Sequence, residues 1–310
     1  MKIYREIKEF KVQNPVLTVG TFDGVHLGHR KILDVLVKEA EKINGEPVVL
    51  TLYPHPRKIL DPTFKDLFLL NTLDEKAKLL ENAGIKHLII YPFTKDFASL
   101  SSCDFIEKIL FNKLNVRKLI VGYDHHFGKD RQGNIDILRN CALPFNIDVL
   151  KVDAFTLNNK KVSSTTIRNA LLSGEIENTN TCLGYDYFIS GKVISGSKIG
   201  RTIGFPTANI EVHKEKLIPR KGVYAVKILI SDKEYTGMLN IGSRPTVDTS
   251  NQLVVETHIF DFEGDLYDKS IKICFKHFIR EEQKFPDKEA LKQRLLNDKK
   301  QTQILFQIQK

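Results

Sequence analysis

The chain has 310 residues, is 42% hydrophobic and 27% charged, and carries a net charge of +9. That length allows two domains with separate cores, and the composition excludes an intrinsically disordered chain. No apolar run reaches the roughly 20 residues a membrane helix needs, and the opening MKIYREIKEF has no signal-peptide core, so the expectation is a soluble, cytoplasmic protein.

The first half alternates two periodicities. Residues 16–19 read as a strand and residues 29–43 as a helix, with Ile32, Leu33, Leu36, Ala40 and Ile43 at helical spacing and Asn44-Gly45 as its stop. A strand over 48–52 follows. Thr72-Leu73-Asp74-Glu75 forms a capping box that opens a helix ending near Gly84. Strands over 87–91, 119–121 and 147–152 alternate with helices over 105–114 and 134–141. This alternation predicts a Rossmann-like parallel sheet covered by helices on both faces.

The pattern changes near residue 183, after the polar stretch LLSGEIENTNTCLG. Strand-like runs then follow one another over 188–194, 224–230, 235–241, 254–260 and 271–275, and a helix over 287–297 closes the chain. The expected fold is therefore α/β followed by a small antiparallel β-barrel with a terminal helix. The expected domains are residues 1–180 and 183–310. The four cysteines, Cys103, Cys141, Cys182 and Cys274, are scattered without a CxxC pair. They read as buried free thiols rather than a zinc knuckle or a disulfide framework. The positive charge favours polyanions, which include nucleic acid but equally ATP and phosphorylated small molecules, and it forms no single long block.

The densest chemistry in the first half is GTFDGVHLGH, residues 20–29. Gly20 ends the strand, and Gly24 and Gly28 let a ligand approach the backbone. A helix N-terminus at this point offers free N–H groups to phosphate. His26 and His29, three apart, are expected on one helix face, able to donate to phosphate oxygens. Taken alone, an HxxH pair is more often ordinary turn glycines with half-exposed histidines. Later, Ser163, Ser164 and Thr165 are hydroxyls ahead of a helix, and Arg168 brings a fork suited to phosphate. In isolation these read as a plain N-cap with a surface arginine. In the second half, GSKIGRTIGFPTAN (residues 196–209) is a glycine-rich flap, and Thr207 and Asn209 offer hard oxygens suited to Mg²⁺.

These strings together resemble a known family. GTFDGVHLGH is similar to the signature of HxGH nucleotidyltransferases, and SSTTIR (residues 163–168) to the motif of adenylyl and cytidylyl transferases. TLYPHP (51–56), which contains His55, and VGYDHHFGKDRQGN (121–134), with Asp124 and Lys129, are similar to segments of the bacterial bifunctional riboflavin kinase/FMN adenylyltransferases. The chain departs from the family pattern at His125 and at Leu52-Tyr53. GSKIGRTIGFPTAN resembles the riboflavin kinase signature, and KGVYAV, NIGSRPT, VETHIFDF and FIREEQKF follow in the family's order.

The resemblance implies two activities: phosphorylation of riboflavin by MgATP, and adenylylation of FMN by a second ATP to give FAD and pyrophosphate. Small molecules would be the partners, with no nucleic acid and no membrane. Catalysis would fall to His26, His29, Arg168 and Glu256. Binding would fall to Gly20, Phe22, Asp23, Gly28, His55, Asp124, Ser163, Ser164, Thr165, Gly196, Gly200, Arg201, Gly204, Pro206, Thr207, Asn209, Arg244 and Arg280. Thr207 and Asn209 would hold Mg²⁺, Glu256 would be the general base, and Phe278 or Phe285 would pack on the flavin ring. A member with one degenerate module, or a flavin- or nucleic-acid-binding regulator on the same scaffold, are the alternatives.

Overall fold

The computed structural model describes residues 1–64, 67–123, 135–157, 159–196, 199–243 and 253–308, and by packing the chain divides into two compact units, Met1–Ser164 and Thr165–Lys310. The first unit is built on β1 (Lys2–Tyr4), β2 (Pro15–Gly20), β3 (Glu46–Tyr53), β4 (His87–Pro92), β5 (Lys118–Gly122) and β6 (Asp148–Val152). They form one sheet in the order β1-β4-β3-β2-β5-β6, and every pairing is parallel. The edge strand β1 lies outside the periodic pattern of the sequence. Strands this apolar must be covered on both sides. Leu17, Val19, Leu50 and Leu119 enter one hydrophobic cluster, while Val16, Val49, Leu88 and Ile120 enter a second, as alternation along a strand requires.

Helices α1 (Leu27–Lys42), α2 (Pro56–Leu60), α3 (Leu73–Asn82), α4 (Lys95–Ala98), α5 (Ser102–Phe105) and α6 (Ile135–Ala142) complete this unit, with a π-wound turn over Ile106–Phe111 and the hairpin β7 (Thr156–Leu157) and β8 (Lys160–Lys161). The capping box is present in both halves: Glu75 N–H donates to Thr72 Oγ1, and Thr72 N–H donates to the Glu75 carboxylate. One expectation is corrected. Cys103 on α5 and Cys141 on α6 are joined by a disulfide, with Cα atoms 4.9 Å apart. The packing of α5 on α6 brings together two cysteines 38 residues apart, and such a pairing has no spacing signature. Cys182 and Cys274 are free.

The second unit begins with α7 (Ser164–Ser173) and α8 (Ile176–Leu183), so the packing division falls ahead of the composition switch near residue 183. Its strands are β9 (Phe188–Ile194), β10 (Ala208–Val212), β11 (Gly222–Ile230), β12 (Lys233–Ser243), β13 (Leu253–Ile259) and β14 (Ser270–Arg280). All pairs are antiparallel, and the order β10-β13-β12-β11-β14-β9 closes on itself through β9 and β10. Closure removes every exposed edge. The short helix α9 (Ile199–Thr202) lies between β9 and β10. The terminal helix α10 (Lys288–Ile308) runs eleven residues beyond the expected end at 297, and its Leu291 and Leu295 pack on Ile203, Phe205, Met238 and Phe260.

Candidate active sites

In the first unit the strand order reverses beside β2. Chain order proceeds from β2 to β3 and β4 on one side and resumes with β5 and β6 on the other. The carboxyl end of β2 is therefore a topological switch point, where open parallel sheets bind ligands. The loop after Gly20 occupies it. Phe22 (φ 46°) and Val25 (φ 34°) are held in left-handed conformations unusual for such side chains.

The loop is held from several sides. The buried Asp23 carboxylate accepts from Leu70 N–H at 2.9 Å and Asn71 N–H at 3.3 Å, and the Ser164 hydroxyl donates to the Asp23 carbonyl at 2.8 Å. Thus Asp23 and Ser164, both expected at the nucleotide, shape the loop through bonds within the protein.

The histidine pair differs from the expectation of two residues on one helix face. His26 precedes α1 as its N-cap, and its Nδ1 accepts the His29 backbone N–H at 3.2 Å. A histidine at an N-cap turns its side chain back over the first helical turn. The two rings consequently stack, with centroids 3.6 Å apart and planes 14° apart. Burial lowers the pKa of His26 to about 4 against the opposing pull of Asp23. Burial, helped by His26 and Lys76, also holds His29 well below the usual histidine range. Both rings are thus neutral near pH 7. Because Nδ1 of His26 is an acceptor, its proton sits on Nε2, which is left as a donor. His29 Nδ1 is buried and, among the described residues, makes no hydrogen bond. An orphaned ring nitrogen at a helix N-terminus is a place for a ligand atom.

Around this pair, Gly20 ends β2 and Gly28 lies in the first turn of α1 against the His26 ring. The Phe22 ring stands 5.1 Å from that of His29. His55 is the N-cap of α2, accepting from Arg57 N–H at 3.2 Å. Ser163 is partly exposed just ahead of α7, Thr165 is exposed in its first turn, and Arg168 is buried further along it. Thr165 and Arg168 belong to the second unit by packing. Asp124, His125, Lys129 and Arg244 lie outside the described residues.

One buried group here escapes the motif reading. Lys76 on α3 donates to the Thr21 carbonyl at 2.7 Å and contacts Thr51 Oγ1 at 3.4 Å. Its sequence signal is positional, since Leu73, Lys76, Ala77 and Leu80 share one helix stripe and a lysine stands where an apolar residue belongs.

In the second unit, a pocket of about 340 Å³ opens beside the barrel, and Gly200, Thr207, Asn240, Glu256, Arg280 and Phe285 are among its lining residues. Glu256 sits mid-strand in β13, directly across from Asn209 on β10 and from Asn240 on β12. Asn209 is buried with its amide against Gly196, where a Cβ would run into it. Only glycine permits that approach. Gly204 takes a left-handed φ of 84°, and Arg201 is exposed on α9. The exposed Pro206 offers its carbonyl to His258 Nδ1 at 2.8 Å. His258 falls within VETHIFDF, but the motif reading does not single it out. It lies between the Phe205 and Phe260 rings and lines the same pocket, and burial lowers its pKa.

Arg280 lines this pocket, yet its guanidinium is engaged elsewhere. Nε and Nη2 donate to Asp298 at 3.0 and 2.7 Å, and Nη1 donates to the Glu281 carbonyl at 3.0 Å. Asp298, on α10, is wholly buried, and the Arg280 cation stands 5.7 Å from the centre of the Phe285 ring.

Comparison with known proteins gives two family matches along the chain. A family model described as FAD synthetase matches residues 8–166, and one described as riboflavin kinase matches residues 183–306. A bifunctional riboflavin kinase/FMN adenylyltransferase of Buchnera aphidicola subsp. Acyrthosiphon pisum is 38% identical over 100% of both chains. The Listeria monocytogenes protein so described is 38% identical over 94% of this chain and 93% of its own, and that of Escherichia coli K12 is 36% identical over 95% and 94%. A solved structure from Streptococcus pneumoniae, described as a macrolide-efflux protein, superposes with a TM-score of 0.89 at 30% identity, covering 97% of this chain and 98% of that one. Among the described residues no helix is long and apolar enough to cross a membrane. By both family models and by identity over its whole length, the chain belongs to the bifunctional riboflavin kinase/FMN adenylyltransferase family.

Proposed function

We propose that the chain makes FMN and then FAD, with the two chemistries separated between the histidine loop and the barrel pocket. The functional modules are residues 1–180 and 183–310, which assigns the SSTTIR segment to the adenylyltransferase. Two neutral, stacked imidazoles at a switch point, one with an orphaned ring nitrogen, are the observation that carries the first half of this reading.

At the histidine loop, a phosphate oxygen of FMN attacks the α-phosphorus of ATP and pyrophosphate leaves. The nucleophile is already an anion, so no strong base is required, and orientation and charge neutralisation supply the rate. His26 donates from Nε2, His29 offers its free ring nitrogen, and the N–H groups opening α1 face the phosphates. Ser163 holds the triphosphate, and Gly20, Phe22 and Gly28 leave room for it.

At the barrel, the 5′-hydroxyl of riboflavin attacks the γ-phosphorus of ATP, its proton passes to Glu256, and ADP leaves. The oxygens of Thr207 and Asn209 are neutral and hard, which fits Mg²⁺ with substrate phosphates completing its shell. Bound there, the ion supplies charge neutralisation of the phosphates. Gly196, Gly200 and Gly204 bring backbone close to the nucleotide, while Arg201 and Pro206 border it. Because Asp298 engages Arg280, its part is to fix the pocket wall, and Phe285 presents the ring for flavin packing. Such an enzyme works on cytoplasmic small molecules.

The test is a product assay. The chain is incubated with riboflavin, ATP and Mg²⁺, and FMN and FAD are separated by chromatography. Riboflavin returned unchanged would sink the reading. Withholding Mg²⁺ should stop FMN formation.

A further inference from the structure

We propose that Lys76 is a positioning residue of the adenylyl-transfer site, where it anchors the carbonyl at which β2 turns into the histidine loop. This rests on the reading of His26 and His29 as phosphate ligands, and no motif of the chain includes this lysine.

Lys76 is only 4% exposed, and among the described residues no carboxylate lies within ion-pairing distance of its ammonium. Burying an ammonium without a partner is costly, by several kcal/mol per ion in real proteins, so a purely structural role would favour an apolar residue in this stripe. What the ammonium does touch is specific. Nζ donates to the Thr21 carbonyl at 2.7 Å, and the Thr51 hydroxyl at the end of β3 donates to the same oxygen at 3.3 Å. Thr21 stands between the last residue of β2 and Phe22, the first left-handed residue of the loop. A carbonyl caught by two donors fixes the direction in which the chain leaves the sheet.

Other anchors of the loop, through the Asp23 carboxylate and the Ser164 hydroxyl, act further along. Lys76 therefore controls the first bend, and with it where the stacked rings sit. Its charge also matters. Desolvation pulls the proton affinity of Lys76 down and Asp23 pulls it up, while Lys76 in turn helps keep His29 neutral. A phosphate entering at His29 would meet a buried cation that has no counter-ion at contact distance.

The experiment uses the full chain with supplied FMN and ATP; circular dichroism and urea unfolding report that the first unit is folded, and riboflavin phosphorylation in the same preparation reports on the second unit. Lys76→Met, which keeps the volume and removes the charge, should lower kcat for FAD formation roughly 30- to 300-fold, since a misplacement of ~1 Å costs about 10²-fold. KM for ATP should change less than about threefold, Lys76→Arg should recover most of the loss, and phosphorylation should stay at the wild-type rate. Should Lys76→Met leave the first unit unfolded, Lys76→Gln decides, because it keeps a donor without the charge, and its expected loss is about tenfold. Wild-type kcat in the folded Lys76→Met or Lys76→Gln variant overturns the proposal, as does a loss confined to KM. His29→Ala is run alongside. If it retains FAD formation, the phosphate-site reading fails and the proposal with it; if it is inactive while Lys76→Met is normal, the proposal alone fails.

Discussion

The two candidate sites differ in their physics. At the end of β2 the polar groups are buried, the imidazoles are neutral, and the loop is tied down by Asp23, Ser164 and Lys76. At the barrel, Thr207 is exposed, Glu256 is half-buried on a regular strand, and a buried ion pair, Arg280–Asp298, holds the wall of the pocket that Glu256 lines. A switch-point loop needs internal bonds to hold a strained path, whereas a barrel strand places its side chains by register alone. The lesson is that a motif aspartate or serine at a loop is often consumed in building it. A motif glutamate on a strand, as Glu256 on β13, is placed by the register of that strand with its neighbours.

If the sites are as separable as this contrast implies, single substitutions should divide the activities. His29→Ala should lower FAD formation by about 10²–10³-fold, the usual cost of one preorganised donor, and leave FMN formation near wild type. Asn209→Ala should do the reverse, halting FMN production while supplied FMN is still adenylylated. Both follow from chromatography of products, and loss of both activities in either folded variant breaks the comparison.

The barrel's dependence on its buried pair comes next. Asp298→Ala leaves the Arg280 guanidinium buried without its carboxylate and should destabilise the second unit by about 3–5 kcal/mol in urea unfolding. A change under about 1 kcal/mol would mean that water reaches Arg280 readily.

The neutral imidazoles predict a pH response. The folded chain holds His26 at about 4, while an unfolded histidine takes up its proton near 6.5. Stability from this group is complete above about pH 6.5 and declines as pH falls toward 4, by up to about 1.4 kcal/mol per pH unit. Between pH 7.5 and 5.0, wild type should therefore lose about 2 kcal/mol more than His26→Gln; equal slopes in the two would show that His26 is hydrated in the folded chain. The smallest effect expected is that of Thr72→Ala, which removes the capping box ahead of Lys76 and should cost about 1 kcal/mol with little change in kcat. A large kcat loss there would mean that α3 itself sets the loop.

Much of this architecture is legible in the order of the residues. The parallel and antiparallel halves follow from periodicity, and the capping box at Thr72 and Glu75 forms as spelled. The two glycine-rich strings lie where chain reversals and close approaches occur. The features that sequence reasoning does not reach share one character. His26 is an N-cap because its ring can bend back to the His29 N–H, a choice made by the path of the loop. Lys76 reaches a carbonyl 55 residues away, and Cys103 meets Cys141 across 38.

The sequence by itself determined what acts over a few residues: strand and helix periods, the caps, and the glycines that let backbone approach a ligand. Only the tertiary structure decided the reversal of strand order that places β2 at a switch point, the closure of β9 on β10, and the burial of Lys76 and Asp298 beside their partners. Local preferences reflect the sterics and hydrogen bonding of neighbouring residues. Strand order, burial and the protonation they impose come from packing many distant residues at once, and no short stretch of sequence contains that information.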